Sequence, residues 1–284
     1  MTAAYLITAH RDPAMFRRLV TALPEDASIV VHINARVDAE PFKMGCPSVT
    51  FVDRRLSTNW AGWGFVEATI GLLEVALADP NVTRCTLISG QCYPILTPAA
   101  LAAWQGEPVD RLEIAPAPNA DEGKPAWRFD RRWHRRGFRN PDSLVAKAAY
   151  VATRRLGPRR DPAAELGGRA LYAGSTWWSF TRSTAEYALD VAHNDDTMRR
   201  YFSHVFIPCE AFWQTAVAPR LDFATIGCDP TYCKWEGGPH PAPLTSEDLI
   251  REASGGRFAF ARKFSSKEPE LLDLVDHLRQ TGPS

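Results

Sequence analysis

Short apolar runs alternate with helical segments through the first half of the chain, and this alternation limits what the chain can fold into. Residues 5–9, 28–34, 49–52, 84–89 and 111–114 are runs of strand length, and 28–34 carries the β-branched core Ile-Val-Val-His-Ile. Between them, residues 13–23 place Met15, Phe16, Leu19 and Val20 on one helical face. Pro13 suits the first turn of that helix, and Asp12 stands where a capping side chain belongs. Residues 65–78 and 98–104 read as two more helices. Strands separated by helices demand crossover connections, so the expected fold is α/β, with a mostly parallel central sheet flanked by helices. Ligands of such sheets sit beyond the carboxyl ends of the strands. His32, Asn34, Ser89 and Gly90 fall at those ends and are site candidates on topology alone.

The second half resumes the pattern less regularly. Residues 170–181 read as strand, turn and strand; 183–193, 209–218, 246–253 and 268–280 as helices; 225–226 and 231–235 as strand-like pieces. The 284 residues suit a single domain spanning 1–284, with a basic insertion or arm at about 120–165. Six cysteines lie at positions 46, 85, 92, 209, 228 and 233, none in C-x-x-C spacing, and are expected to be reduced thiols. No apolar run approaches the ~18 residues of a membrane span, and the first residues lack a signal-peptide pattern. A cytoplasmic location is therefore expected, peripheral to the inner face of a membrane if the basic arm meets one.

Lys+Arg and Asp+Glu balance at 33 each, but unevenly. Between 128 and 160 stand Arg128, Arg131, Arg132, Arg135, Arg136, Arg139, Lys147, Arg154, Arg155, Arg159 and Arg160, opposed only by Asp130 and Asp142. Trp127, Phe129, Trp133 and Phe138 are interleaved with them. The stretch reads either as a solvated arm or as an anion-binding surface for an acidic acceptor, a lipid headgroup or nucleic acid.

Several common chemistries are excluded. There is no Walker phosphate loop, no dinucleotide-binding glycine fingerprint, no G-x-S-x-G elbow and no H-E-x-x-H. The seven His show no metal-ligand spacing, and no D-x-D is present to hold a metal against a nucleotide diphosphate.

Four segments stand in a specific order: Trp60-Ala-Gly-Trp63, Ser89-Gly-Gln-Cys-Tyr-Pro94, Pro208-Cys-Glu-Ala-Phe-Trp-Gln-Thr215 and Phe260-Ala-Arg-Lys-Phe264. Gly174-Ser-Thr-Trp-Trp178 and His240-Pro241 lie among them. Together with the opening Tyr-Leu-Ile-Thr-Ala-His and Val-His-Ile-Asn, this set resembles the core-2/I-branching β-1,6-N-acetylglucosaminyltransferase family, which has peptide O-xylosyltransferase relatives. The resemblance runs from about Tyr5 to Phe264, and the absence of an anchor points to a bacterial-type member.

The resemblance implies a GT-A-type glycosyltransferase fold and inverting transfer of a sugar from a UDP-sugar to a hydroxyl, with UDP-sugar as co-substrate, no cofactor and no metal. N-acetylglucosamine is the first donor sugar implied and xylose the second. The acceptor would be a glycan, a glycolipid or a sugar-bearing metabolite, and an anionic or membrane-bound one would suit the basic arm. Glu210 matches the catalytic glutamate, and its apolar flank is expected to desolvate it and raise its basicity. Arg262 and Lys263 match the diphosphate-binding pair, where an Arg fork and a Lys charge replace a metal. His32, Asn34, Trp60, Ser89 and Gly90 complete the donor side. His32 reads equally as a satisfied buried histidine, and Trp60 equally as core. Thr176 and Trp177 match an acceptor-side segment whose aromatic face can stack on a sugar, and Trp127 and Arg128 join that side. His240 reads as structural.

The chain departs from the family pattern at four places. Asn34, Cys92 and Cys209 stand where aspartates are usual, and Ala61 stands at the first glycine of W-G-G. The rival reading from the residues alone is a binding module for nucleic acid or an anionic membrane built on 128–160. Under the transferase reading no nucleic-acid partner is expected.

Overall fold

A computed structural model of the chain describes residues 2–140, 142–237 and 241–282; His240 lies outside them. The first half runs β1 (Thr2–Ala9), α1 (Pro13–Ala22), β2 (Ser28–Ile33), α2 (Glu40–Lys43), β3 (Val49–Phe51), α3 (Gly64–Leu77), β4 (Val82–Ser89), β5 (Tyr93–Pro94) and α4 (Pro98–Gly106). It continues through β6 (Arg111–Leu112), β7 (Ala115–Pro116), α5 (Trp127–Asp130), α6 (Leu144–Leu156), α7 (Pro162–Glu165), β8 (Tyr172–Ala173) and β9 (Trp178–Thr181). The remainder is α8 (Arg182–Asn194), α9 (Asp196–Phe202), α10 (Phe212–Val217), β10 (Thr231–Cys233), α11 (Ser246–Gly255), β11 (Phe260–Arg262) and α12 (Pro269–Thr281).

Six strands form the central sheet in the order β3-β2-β1-β4-β9-β6. β1 runs parallel to both β2 and β4, and β2 parallel to β3, while β9 lies antiparallel to β4 and β6. The expected α/β fold with a mostly parallel, helix-flanked sheet is therefore the one observed. Alternation along β1 explains why both faces must be covered. Ala4 and Leu6 point into a core shared with α3, α8 and α10, whereas Tyr5, Ile7 and Ala9 point into a second core with α1 and α12. Asp12 caps α1 as expected, accepting a hydrogen bond from the Met15 N–H at 3.1 Å. A smaller sheet, β10-β11-β5, stands beside the carboxyl ends of β1 and β4 and carries the Phe260–Phe264 segment.

Three local expectations are corrected. Residues 209–218 do not form one helix. A 3₁₀ turn over Pro208–Glu210 breaks at Ala211 (φ −147°) before α10 begins. Residues 111–114 shorten to β6 because Gly174 packs against the backbone there: a Cβ on Gly174 would lie 1.9 Å from the Glu113 carbonyl oxygen. Residues 225–226 are a turn wound back on Asp222, whose carbonyl accepts from both the Thr225 and Ile226 N–H groups.

The Arg-rich segment is pinned at two places. Its ends meet through an antiparallel bridge between Arg131 and Arg159, and its middle is held by a bridge between Trp60 and Phe138. The second bridge gives the Trp60-Ala-Gly-Trp63 motif a physical meaning. Gly62 approaches so closely that a Cβ would meet the Arg136 carbonyl oxygen at 2.7 Å. Ala61 adopts φ 56°, the left-handed region that glycine occupies without strain. The W-G-G glycine replaced in this chain is therefore one that the backbone itself favours. Adjacent substitutions should act in opposite directions. Ala61→Gly should raise the melting temperature by about 2 °C, as relief of roughly 1 kcal/mol of left-handed strain implies. Gly62→Ala should lower stability by about 2 kcal/mol through overpacking, measurable in the same thermal scan.

Candidate active site

The sheet order places a topological switch between β1 and β4. From β1 the chain steps outward to β2 and β3, then returns to lay β4 on the other side. The crevice beyond the carboxyl ends of these two strands is where an α/β sheet binds a ligand. Gly90 closes the floor: its N–H donates to the Thr8 carbonyl at 2.9 Å, and a Cβ there would lie 3.0 Å from the Ala9 Cβ. Ser89 is turned toward Cys92, with Oγ 3.3 Å from Sγ.

Cations crowd this crevice. Arg262 ends β11, and Lys263 follows it. Burial lowers the Lys263 pKa, and the neighbouring Arg262 and Arg11 charges lower it further. Burial, then the Arg11, Lys263 and Arg262 charges, push His10 down to about 4. Like charges that depress one another in this way define a region whose field favours an anion. Arg11 and His10 follow β1 directly, and neither was singled out from sequence, although the opening Tyr-Leu-Ile-Thr-Ala-His string contains His10.

On the other side stands Glu210. Its Oε2 accepts from Lys124 Nζ at 2.7 Å and from Arg128 Nη2 at 2.9 Å. Arg128 is buried, and its guanidinium also donates to the Gly123 and Ile207 carbonyls. Burial alone would raise the Glu210 pKa, but the Arg128 and Lys124 charges and hydrogen bonds outweigh it and hold the carboxyl below its usual range. This corrects the expected rise in basicity. The expectation counted the apolar flank of α10 and could not see two cations 82 and 86 residues away in sequence. Two further carboxyls shift the opposite way. Burial pushes Asp229 up to about 7 against hydrogen bonds from Ser175 and the Thr231 N–H, and burial raises Glu113 against the Lys124 charge.

The Gly174–Trp178 segment joins the two sides. The Gly174 N–H donates to the Glu210 carbonyl at 2.8 Å, and Thr176 Oγ1 lies 3.5 Å from Cys209 Sγ. The Arg262 guanidinium carbon sits 4.5 Å from the Trp177 ring centroid. Trp177 is only 6% exposed, so this ring carries Arg262 on its face and is not the open sugar-stacking platform expected.

The other expected site residues fall as follows. His32 is buried and accepts from the Leu56 N–H at 2.8 Å through Nε2, while burial and then Arg55 lower its pKa to about 4. It is a neutral ring that latches β2 to the segment after β3. Asn34 donates to Thr58 Oγ1 at 2.7 Å and accepts from the Arg36 N–H, which uses its side chain to shape the loop. Trp60 and Trp127 are partly buried and come together on Phe206. Both pack edge-on or tilted against Phe206, at 5.2 and 4.8 Å, in a third aromatic cluster beneath the Arg-rich segment. Arg128 and Arg160 of that segment turn inward, Arg160 pairing with Glu165 over the Tyr201 ring. A groove of about 1220 Å³ lined by Asp53, Glu67, Arg132, Arg199 and Arg200 lies elsewhere and contains none of the expected site residues. Among the described residues, no three His, Cys, Asp or Glu side chains converge as a metal-ligand group.

With this geometry in place, comparison with known proteins decides the family. The profile of the Core-2/I-Branching enzyme family matches residues 3–255. The chain belongs to that family. It is a glycosyltransferase family, whose members imply a nucleotide-sugar donor and a glycan acceptor. The chain is also similar to the beta-glucuronosyltransferase GlcAT14A of Arabidopsis thaliana, 28% identical over 118 residues, which is 40% of this chain and 26% of that relative. It thus spans about a quarter of the relative's length. Among solved structures, one described as a glucose-1-phosphate thymidylyltransferase from Bacillus anthracis aligns with 71% of this chain and 82% of its own, at 10% identity and a TM-score of 0.31.

The Glu210 clamp has a measurable stability signature. Arg128→Met would leave Glu210 paired with Lys124 alone in a mostly buried setting. The variant should lose about 3 kcal/mol in urea denaturation near neutral pH. A depressed folded pKa contributes stability above the unfolded value of 4.5 and loses it as pH falls through the folded value. The deficit of the variant should therefore shrink as the titration is carried below that value.

Proposed function

We propose that the chain transfers a sugar from a nucleoside-diphosphate sugar to an acceptor hydroxyl, with inversion and without a metal ion. The observation that carries this reading is the contact chain Glu210–Gly174–Trp177–Arg262, in which one short segment touches both the backbone of Glu210 and the guanidinium of Arg262. An inverting displacement needs those two elements on opposite sides of an anomeric carbon: a base for the incoming hydroxyl, and positive charge for the leaving diphosphate.

Glu210 is the base. Among Glu210, Glu113 and Asp229, Glu210 is the one shifted toward ionisation, while the other two are shifted toward the protonated form. Its Oε2 takes both cations, which leaves Oε1 for the acceptor proton. The pairing secures the charged state at the expense of proton affinity. Transfer then belongs late in the displacement, when the acceptor oxygen has bonded to carbon and its proton has become strongly acidic. Arg262, Lys263 and Arg11 stabilise the departing diphosphate as its charge develops. The Arg fork can engage two phosphate oxygens, and the Lys supplies a compact charge.

UDP is the proposed nucleotide. N-acetylglucosamine is the first donor sugar to test and xylose the second, and glucuronate joins them because the similar plant protein is a beta-glucuronosyltransferase. The acceptor is a carbohydrate or glycolipid.

A thermal-shift panel of UDP, UDP-N-acetylglucosamine, UDP-xylose and UDP-glucuronate should single out the donor by a raised melting temperature. With that donor, transfer or slow donor hydrolysis should persist undiminished in EDTA. Glu210→Gln should reduce turnover by roughly 10²–10⁴-fold; a variant retaining near-wild-type turnover would remove the base assignment. Lys124→Met removes one of the two cations that lower the Glu210 pKa. The acid limb of its pH–rate profile should therefore move to higher pH.

A further inference from the structure

α6 presents one face to the protein and an apolar face to solvent. On the inner face only Ala146 is buried, and Tyr150 anchors the helix against Trp127 and Phe206, at 5.1 and 5.6 Å between ring centroids. On the outer face Leu144, Ala148 and Val151 follow helical spacing along one stripe, and Val145, Ala152 and Leu156 widen it. Leu144 is 86% exposed, Leu156 84% and Val145 70%. Side chains of this size do not cluster in the open on a helix that has no apolar neighbour to meet. Lys147 and Arg154 flank the stripe, Arg155 lies at its C-terminal end, and Arg139 and Arg159 lie beyond its two ends, all exposed. The exposed acids nearest in sequence are Asp142, ahead of the helix, Asp161, which is engaged in capping α7, and Glu165, which is paired with Arg160.

We propose that α6 docks the protein on an anionic lipid bilayer, lying in the interface with its apolar stripe among the acyl chains and its cations against the headgroups. The combination selects the occupant. A bilayer supplies an apolar layer directly beneath a layer of negative charge, which matches a leucine and valine stripe edged by arginines. Nucleic acid would satisfy the arginines but offers no sink for Leu144, Val145, Val151 and Leu156. A second copy docked face to face would oppose Arg154, Arg155 and Lys147 with like charges. The docking does not depend on transferase chemistry; its consequence for the acceptor does. Trp127, on which α6 rests, is followed by Arg128, which holds Glu210, so a docked molecule would bring its base close to a lipid-linked hydroxyl.

The test is co-sedimentation of the full chain with vesicles of phosphatidylcholine alone, or of phosphatidylcholine with phosphatidylglycerol, at low and high salt. Binding should require phosphatidylglycerol and weaken as salt rises. The combined Leu144→Ser, Val151→Ser and Leu156→Ser variant should bind the anionic vesicles at least about tenfold more weakly, with an unchanged melting temperature because the three side chains are exposed. Arg154→Glu with Arg155→Glu should weaken binding and flatten its salt dependence. Equal retention of the wild type and the triple serine variant would overturn the proposal. So would absence of vesicle binding alongside RNA binding that the serine variant preserves, or self-association that the serine variant abolishes. Thermal shifts with the donor panel on the same samples separate failure of docking from failure of the transferase reading.

Discussion

A carboxylate held between a buried arginine and a partly buried lysine organises one side of the candidate site. Burial alone would push the Glu210 pKa up, because removing its charge from water is costly. Lys124 and Arg128 reverse the balance, and their own burial is tolerable only because Glu210 is there. The trio also ties together two distant parts of the chain: the stretch from the turn at Gly123 through the short α5, and the 3₁₀ turn before α10. Removing Glu210 leaves two like charges facing each other, whereas removing either cation leaves a single ion pair in its place.

Around this trio the sheet supplies direction. The switch between β1 and β4 opens a crevice at the carboxyl ends of the strands, and the small β10-β11-β5 sheet brings Arg262 and Lys263 to its rim. Neither sheet alone makes the site. What fixes their separation is Trp177, whose ring supports the guanidinium of Arg262 while its neighbours bind the backbone of Glu210. The same segment thus touches both Glu210 and Arg262.

Much of the architecture is legible in the residues. Apolar runs of strand length, the Asp12-Pro13 helix start and the amphipathic C-terminal helix all carry local signals that tertiary structure reinforced. Glu210, Arg262 and Lys263 were legible through ordered motifs. What escaped was non-local. The partners of Glu210 come from a segment that reads only as generally basic, and nothing in its spacing separates Arg128, which is buried, from Arg132, which is exposed. Trp177 reads as a sugar platform because sequence shows an aromatic ring but not what already lies on its face. The break at Ala211 escaped because Phe212 to Val217 continue an apolar helical pattern across it, and only the backbone at 207–211 reveals the turn.

The bridge between Arg131 and Arg159 closes the basic segment into a loop whose two ends sit side by side. Closing a chain costs entropy that grows only slowly with the length enclosed. A segment joined at such a neck can vary where it is exposed, along the outer face of α6, while Trp133 and Phe138 hold its inner side to the rest of the fold. The exposed stripe of α6 and the Glu210 cluster are thus two faces of one folded segment, joined through Trp127 and Arg128.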